Sequence, residues 1–248
     1  MSMKGSETAH EAVVIIPMYN ECENAAAIID AVLALERDFD VLVIDDNSPD
    51  GTAAIVREKI AANPGRVNLI ERTGKLGLGT AYITGFNWAL QQGYDYICEM
   101  DADFSHNPQD LLKLLKATAE DGADVAIGSR YVSGVNVVNW PMGRVLMSYF
   151  ASKYVRLITG LPIHDTTAGF VCYRRRVLES IRLDAIRFKG YAFQIEMKFT
   201  AYRHGFCIRE VPVIFINREL GTSKMNSSIF GEAMFGVIRL KLDQLMGR

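Results

Sequence analysis

Five short, apolar, mostly β-branched runs recur through the first half of the chain: Val13-Val14-Ile15-Ile16, Val41-Leu42-Val43-Ile44, Val67-Asn68-Leu69-Ile70, Tyr96-Ile97-Cys98-Glu99-Met100 and Val125-Ala126-Ile127. Runs that are continuous rather than alternating suit strands buried on both faces. Between them, residues 23–35, 52–62, 79–92 and 108–120 carry Ala, Leu and charged residues at helical spacing, with Ser, Asp, Thr or Pro near their starts. Strand and helix in alternation predict an α/β fold, a doubly wound and mostly parallel sheet with right-handed crossovers. A chain of 248 residues with 49% hydrophobic residues forms one such domain with a sizeable core.

Charge excludes one class of function. With 27 Lys+Arg against 29 Asp+Glu and a net charge of -2, the overall field cannot hold nucleic acid through counterion release. The four cysteines, Cys22, Cys98, Cys172 and Cys207, form no CxxC pair, which reads as reduced thiols in a cytoplasmic protein rather than a zinc site or a disulfide framework. Residues 1–11 lack the basic start and apolar middle of a secretory signal. No stretch reaches the roughly 18 apolar residues of a membrane span.

Beyond Gly128 the alternation gives way to an apolar helix over 141–158, a hairpin or loop over 165–173, a helix over 193–204, a strand over 207–216 and a second apolar helix over 228–246. No linker or repeat divides the chain, so 1–248 is one domain, with 11–130 and 131–248 as two halves. The two apolar helices either bury against the core or lie in a bilayer interface with their cations toward headgroups. Arg174-Arg175-Arg176, followed by Arg182, Arg187 and Lys189, reads as a basic helix face that is solvated or touches anionic lipid.

Open α/β sheets bind ligands beyond the carboxyl ends of their strands, which directs attention to three loops. Asp101-Ala102-Asp103 follows the fourth strand; if strand geometry continues, its carboxylates point the same way and can share one hard divalent cation with a diphosphate, the alternative being turn or cap residues. Glu21 and Asp46 follow the first two strands, where carboxylates can accept from a base and a ribose; Tyr19 could pack on the base. The alternative is that Asp46, Ser48 and Asp50 cap the following helix, and for Ser48 and Asp50 capping is the preferred reading. Lys75-Leu76-Gly77-Leu78-Gly79 matches neither a phosphate loop nor a dinucleotide fingerprint and reads as a mobile or tightly turning backbone beside the site. Arg130, Arg144, Arg218 and Lys224 lie in loops or at helix starts of the second half, where cations can meet phosphates.

The ordered set Val14-Ile15-Ile16-Pro17-Met18-Tyr19-Asn20-Glu21, Asp45-Asp46-Asn47-Ser48-Pro49-Asp50-Gly51-Thr52, Lys75-Leu76-Gly77-Leu78-Gly79-Thr80-Ala81-Tyr82, Asp101-Ala102-Asp103-Phe104-Ser105-His106, Gly128-Ser129-Arg130-Tyr131, Asp165-Thr166-Thr167-Ala168-Gly169-Phe170 and Arg218-Glu219-Leu220-Gly221-Thr222-Ser223-Lys224 resembles the motifs of dolichol-phosphate (polyprenol monophosphate) mannosyltransferases, family-2 glycosyltransferases of GT-A fold. The resemblance implies a nucleotide-sugar site for GDP-mannose made of Pro17, Tyr19, Glu21, Ile44, Asp46, Asp101, Ala102 and Asp103, with Arg130, Arg218 and Lys224 on phosphates. It implies Mg2+ or Mn2+ on Asp103 and the side chain at 105, which is Ser here where many members have Gln. Arg144, after Trp140, matches the position expected to meet the phosphate of a polyprenyl phosphate acceptor. It also implies a form without transmembrane helices, held peripherally at the cytosolic face of a membrane by its own helices or by a membrane-spanning partner subunit. A polyprenyl phosphate is already an anion, so inverting attack on the anomeric carbon needs no side-chain base, unlike glycosidases with their two carboxylates. A UDP-hexose donor with the same lipid acceptor, or a catalytically silent nucleotide-sugar-binding subunit, fits the same motifs.

Overall fold

The computed structural model describes residues 11–190, 192–217 and 228–246. In chain order the elements are β1 (Ala12–Met18), α1 (Cys22–Leu33), β2 (Phe39–Asp45), α2 (Thr52–Ala62), β3 (Val67–Glu71), α3 (Leu78–Gln92), β4 (Tyr96–Glu99), α4 (Asp110–Ala119), β5 (Val125–Ser129), β6 (Val137–Val138), α5 (Met142–Thr159), β7 (Val171–Arg174), α6 (Arg175–Ser180), α7 (Ala192–Arg203), β8 (Ile208–Pro212), β9 (Phe215–Ile216) and α8 (Ser228–Leu245). The predicted apolar runs are strands, and every residue of β2 and β5 is buried. Successive strand residues face opposite sides. Ile15, Leu42 and Ile44 therefore join Tyr82, Phe86, Tyr173 and Phe193 in one core layer, while Val14, Ile16, Val41 and Val43 join Ile28, Leu111 and Phe170 in the other. Each such side chain contributes about 1.5–3 kcal/mol on burial.

The main sheet has strand order β3-β2-β1-β4-β7-β5-β8. From β1 the chain runs outward through parallel β2 and β3, then returns to lay β4 parallel on the other side of β1. Strand order thus reverses between β1 and β4, and the loops leaving them open side by side, where such sheets hold ligands.

Three expectations for the second half are corrected. The segment over 165–173 ends in strand β7, inserted antiparallel between β4 and β5; four residues leading straight into α6 carry no turn signal that would reveal a strand. The strand over 207–216 breaks after Pro212: β8 pairs with β5 in the main sheet, whereas β9 crosses to pair with β6. The arginine run is only in part a solvated basic face: Arg176 and Arg182 stay exposed, but the three at 174–176 are tied down. Arg174 donates to the Thr118 carbonyl, Arg175 to Glu179 and the Leu90 carbonyl, and Arg176 pairs with Asp124, so these side chains fasten β7 and α6 to α3, α4 and the start of β5.

Helices α5 and α8 pack together, with Tyr154 Oη donating to the Met234 carbonyl at 3.0 Å. Of α5 only Ser152, Val155 and Thr159 are buried. Met142, Leu146, Met147, Phe150 and Leu157 of α5 are exposed, as are Met234, Phe235, Ile238 and Leu242 of α8. The first of the two readings, burial against the core, thus fails for most of α5. Among the described residues no helix is long and apolar enough to cross a membrane.

Candidate active site

The loops after β1 and β2 are laced together by main-chain donors and side-chain acceptors. The amides of Asn20, Glu21 and Cys22 donate to Ser48 Oγ, Thr52 Oγ1 and Asp50 Oδ2, each at 3.0 Å. Asp50 also accepts from the amide (3.0 Å) and hydroxyl (2.6 Å) of Thr52. Asp50 thus holds the first amide of α2, whose N-cap is Gly51, and anchors α1 as well; Ser48, also expected as a cap, instead bonds Asp45 and the Asn20 amide. Burial alone would raise the Asp50 pKa, but the Thr52 hydroxyl and the Cys22 and Thr52 amides outweigh that and hold it at about 2. Left-handed backbone at non-glycine residues falls in all three loops: Asn20 (φ 52°), Asn47 (φ 58°) and Phe104 (φ 56°). Asn adopts this conformation at little cost and Phe only under strain, so the strain at the ligand edge of the sheet sits at Phe104.

Asp46 is buried against Arg72, a residue the sequence reading overlooked although it directly follows β3. The pair meets at 2.5 Å, and Arg72 Nη1 also donates to Thr80 Oγ1 at 2.7 Å. Burial pushes the Asp46 carboxyl up, and Arg72 partly offsets this. Glu21 is buried and accepts from Asn24 Nδ2 at 3.0 Å. Tyr19 lies under Lys75, whose Nζ is 5.0 Å from the ring centroid. The expected turn at 75–79 is not there: residues 75–77 form no turn, Gly77 has φ 105°, and Leu78 and Gly79 already open α3. A Cβ at Gly79 would come within 2.8 Å of the Phe188 carbonyl and the Phe193 ring, so glycine permits α3 to approach that segment. Ile44 and Ala102 are packed in the two core layers, so only their main chain borders the loops; Pro17 stands opposite Ile44 in the β1–β2 register.

The acidic loop differs from the expectation for its carboxylates. Strand β4 ends at Glu99, so Asp101 and Asp103 are not aligned by strand alternation but by a turn. The left-handed Phe104 folds the chain back, Ser105 N donates to Asp103 Oδ1 at 3.0 Å, and Asp101 N donates to His106 Nδ1 at 3.3 Å. His106 stacks on Phe170 with centroids 4.7 Å apart and meets the Phe215 ring edge-on. Burial pushes His106 down to about 4, which keeps it neutral and Nδ1 available as the acceptor. The unfolded imidazole protonates near ~6.5. Stability attributable to His106 is therefore complete above about pH 6.5 and lost as pH falls toward 4. Denaturant titrations in chelator across that window are expected to show a steeper acid decline for wild type than for His106→Asn; equal slopes would refute this.

On the other side of the site, Arg130 is gripped by Asp165. Nε, Nη2 and the backbone N of Arg130 donate to the Asp165 carboxylate at 2.7, 2.6 and 3.0 Å, and Nη2 also reaches Thr167 Oγ1 at 3.0 Å. The guanidinium lies 5.3–5.6 Å from the rings of Tyr131, Trp140 and Phe215. Asp165 was legible only as part of the family motif set; its role as the Arg130 partner was not. Arg144, in the first turn of α5, lies with Cζ 4.0 Å from the Trp140 ring centroid and donates through Nη1 to Asn217 Oδ1 at 3.1 Å. The neighbouring Ile216 amide donates to the Ser105 carbonyl at 3.2 Å. Two consecutive residues thus tie the acidic loop to the start of α5. Arg218 and Lys224 lie outside the described residues.

Among the described residues no three His, Cys, Asp or Glu side chains cluster as a closed metal cage. The acidic loop nevertheless suits a shared hard cation. Ser105 Oγ is buried without a hydrogen-bond partner beside Asp103, and a carboxylate with a hydroxyl is a partial oxygen set of the kind Mg2+ completes with substrate phosphates.

Residues 13–182 match the model of glycosyl transferase family 2, and the chain belongs to that family. It is 50% identical over 239 residues to the polyprenol monophosphomannose synthase of Mycolicibacterium smegmatis, covering 95% of this chain and 90% of that one. It is 47% identical to the undecaprenyl-phosphate mannosyltransferase of Micrococcus luteus, covering 92% of each. The glucosyl-3-phosphoglycerate synthase of Mycobacterium tuberculosis, solved with Mn2+, UDP and glucosyl-3-phosphoglycerate, superposes with a TM-score of 0.65 at 17% identity over 98% of this chain and 86% of that one. The fold is GT-A, as the sequence predicted.

Proposed function

We propose that this enzyme transfers mannose from GDP-mannose to a polyprenyl phosphate, with inversion, at the cytosolic face of a membrane. The observation that carries the reading is the Ile216–Asn217 link, which holds the acidic loop that would face the donor diphosphate beside the Arg144 that would face the acceptor phosphate. The names of the two curated relatives agree with this acceptor class and sugar.

The chemistry follows from charge. The acceptor oxygen is already ionised and attacks the anomeric carbon as the bond to the nucleoside diphosphate breaks, so no proton need be removed. What the protein must do is bring two anions together and stabilise one of them, the nucleoside diphosphate, as it leaves. Asp103 and Ser105 would hold Mg2+ or Mn2+, which when bound neutralises charge on the departing diphosphate. Glu21 and the Arg72-oriented Asp46 would receive base and ribose, while Asp165 keeps the Arg130 fork fixed for the phosphate side. Arg144 stacked on Trp140 keeps its guanidinium plane oriented, so that bidentate contact with the lipid phosphate costs little ordering.

The exposed apolar side chains of α5 and α8 favour the interfacial reading of these helices. Leu146, Phe150 and Leu157 flank Lys153 on one side of α5, an apolar stripe carrying a cation, as interfacial helices do.

Incubating the protein with labelled GDP-mannose or UDP-glucose, polyprenyl phosphate in detergent, and Mg2+, Mn2+ or chelator tests the reading. Metal-dependent mannolipid from the GDP donor alone is the expected result. Glucolipid from UDP-glucose would overturn the donor; absence of any product would overturn activity without a membrane partner. In the same assay Arg144→Ala is expected to raise the KM for lipid phosphate by about tenfold to a hundredfold, the loss of one charged hydrogen-bonded contact, with the KM for donor within about twofold. Equal weakening of both would refute the assignment.

A further inference from the structure

Directly beneath the acidic loop lies a polar chain that the proposed chemistry does not use. Glu99, the last residue of β4, is fully buried and accepts through Oε2 from Gln194 Nε2. Gln194 and Lys198 are one turn apart on α7 and so share a face; Lys198 Nζ donates to Gln194 Oε1 at 3.2 Å and to the Ala168 carbonyl at 2.5 Å. Ala168 belongs to the same segment as Asp165 and Thr167, the residues that grip Arg130. A continuous path thus runs from the strand that ends at the acidic loop, through α7, to the segment that holds Arg130.

Nothing about folding demands polar residues here. Phe193, Met197 and Phe199 of the same helix are buried in apolar surroundings, and a buried ion pair is in general no more stable than well-packed apolar side chains of the same size. Lys198 and Glu99 are each wholly inaccessible to solvent. Burial pushes Glu99 up and Lys198 down. Gln194 serves both in either protonation state, because it donates toward the carboxyl and accepts from the amine. Glu99 Oε1 is buried without a hydrogen-bond partner, but the directional bonds that Glu99 Oε2, Gln194 and Lys198 make fix relative positions more narrowly than apolar contacts, which tolerate sliding.

We infer that Glu99, Gln194 and Lys198 form a buried brace setting the position of the acidic loop against the Asp165–Arg130 grip, and that Lys198 is a positioning residue for sugar transfer. The inference rests on the reading that these two parts meet one donor diphosphate. A displacement of about 1 Å between them can cost on the order of a hundredfold in rate.

The test compares wild type, Lys198→Met and the doubly neutral Glu99→Gln/Lys198→Met, measuring kcat, donor KM, melting temperature and hydrogen exchange of residues 100–106 and 165–170. Lys198→Met is expected to lower kcat between tenfold and about a hundredfold while donor KM stays within threefold, and to speed exchange in both segments together. The double variant, if the single one is too unstable, is expected to regain melting temperature without regaining kcat. Wild-type kcat in either folded variant, a rate recovered in step with melting temperature, or exchange rising in 165–170 alone would overturn the brace. If wild type transfers no sugar from any donor, the transfer reading falls, and the exchange of the two segments still decides whether the brace couples them.

Discussion

Asp103→Asn is expected to lower metal-dependent sugar transfer by about two to three orders of magnitude, comparable to removing one preorganised stabiliser of transition-state charge. The substitution separates charge from shape. Asparagine retains an Oδ1 that can accept from the Ser105 amide, the contact that Asp103 makes at 3.0 Å, so the turn through left-handed Phe104 keeps its closure. What is lost is the anion that would hold a divalent cation beside Ser105 Oγ. The variant is therefore expected to melt close to wild type, to bind nucleotide equally in chelator, and to lose the gain in nucleotide affinity that metal confers on wild type. Undiminished transfer by the variant, with the same sensitivity to chelator as wild type, would remove Asp103 from the metal site.

Asp165→Ala is expected to have the largest effect on stability, about 3–5 kcal/mol, because it strands the Arg130 guanidinium in the interior. Three donors of Arg130 lose their acceptor at once, and Arg130 is 8% exposed, too little for water to replace the carboxylate. The Asp165 amide, which donates to Glu210 at 2.9 Å, is unaffected, so the loss reports the charge pair. Thermal unfolding is expected at a temperature about 10 °C lower, at roughly 2–4 °C per kcal/mol for a domain of this size. The Arg130→Met/Asp165→Ala double variant is expected to recover much of that while remaining inactive, since it removes the buried charge together with its partner. A single variant that melts within a degree or two of wild type would mean that the pair contributes nothing to folding.

The half of the fold that local pattern dictates was legible. The five predicted strands of the first half and their helices stand where the runs of β-branched residues and the helical spacing put them, because burial on both faces leaves a continuous apolar signature. The loops at the ligand edge were legible for the same reason, since topology alone says which ends face the site. β7 was not, since an antiparallel strand of four residues joined to a helix has no periodicity of its own. Nor was the fate of the arginines at 174–176, whose acceptors lie 4 to 85 residues away in sequence.

By itself, then, the sequence determined an α/β chain with acidic loops at its ligand edge, a motif order resembling one glycosyltransferase family, and two apolar helices of undecided burial. Only the tertiary structure decided what each charge faces: Asp46 meets Arg72, Arg130 meets Asp165, Lys198 reaches Ala168 beside Gln194 and Glu99, and α5 turns its apolar stripe outward. The physical reason is range. Hydrophobic periodicity is written within one turn or one strand, whereas the partner of a buried charge is chosen by desolvation across the whole core, and residues far apart in the chain supply it.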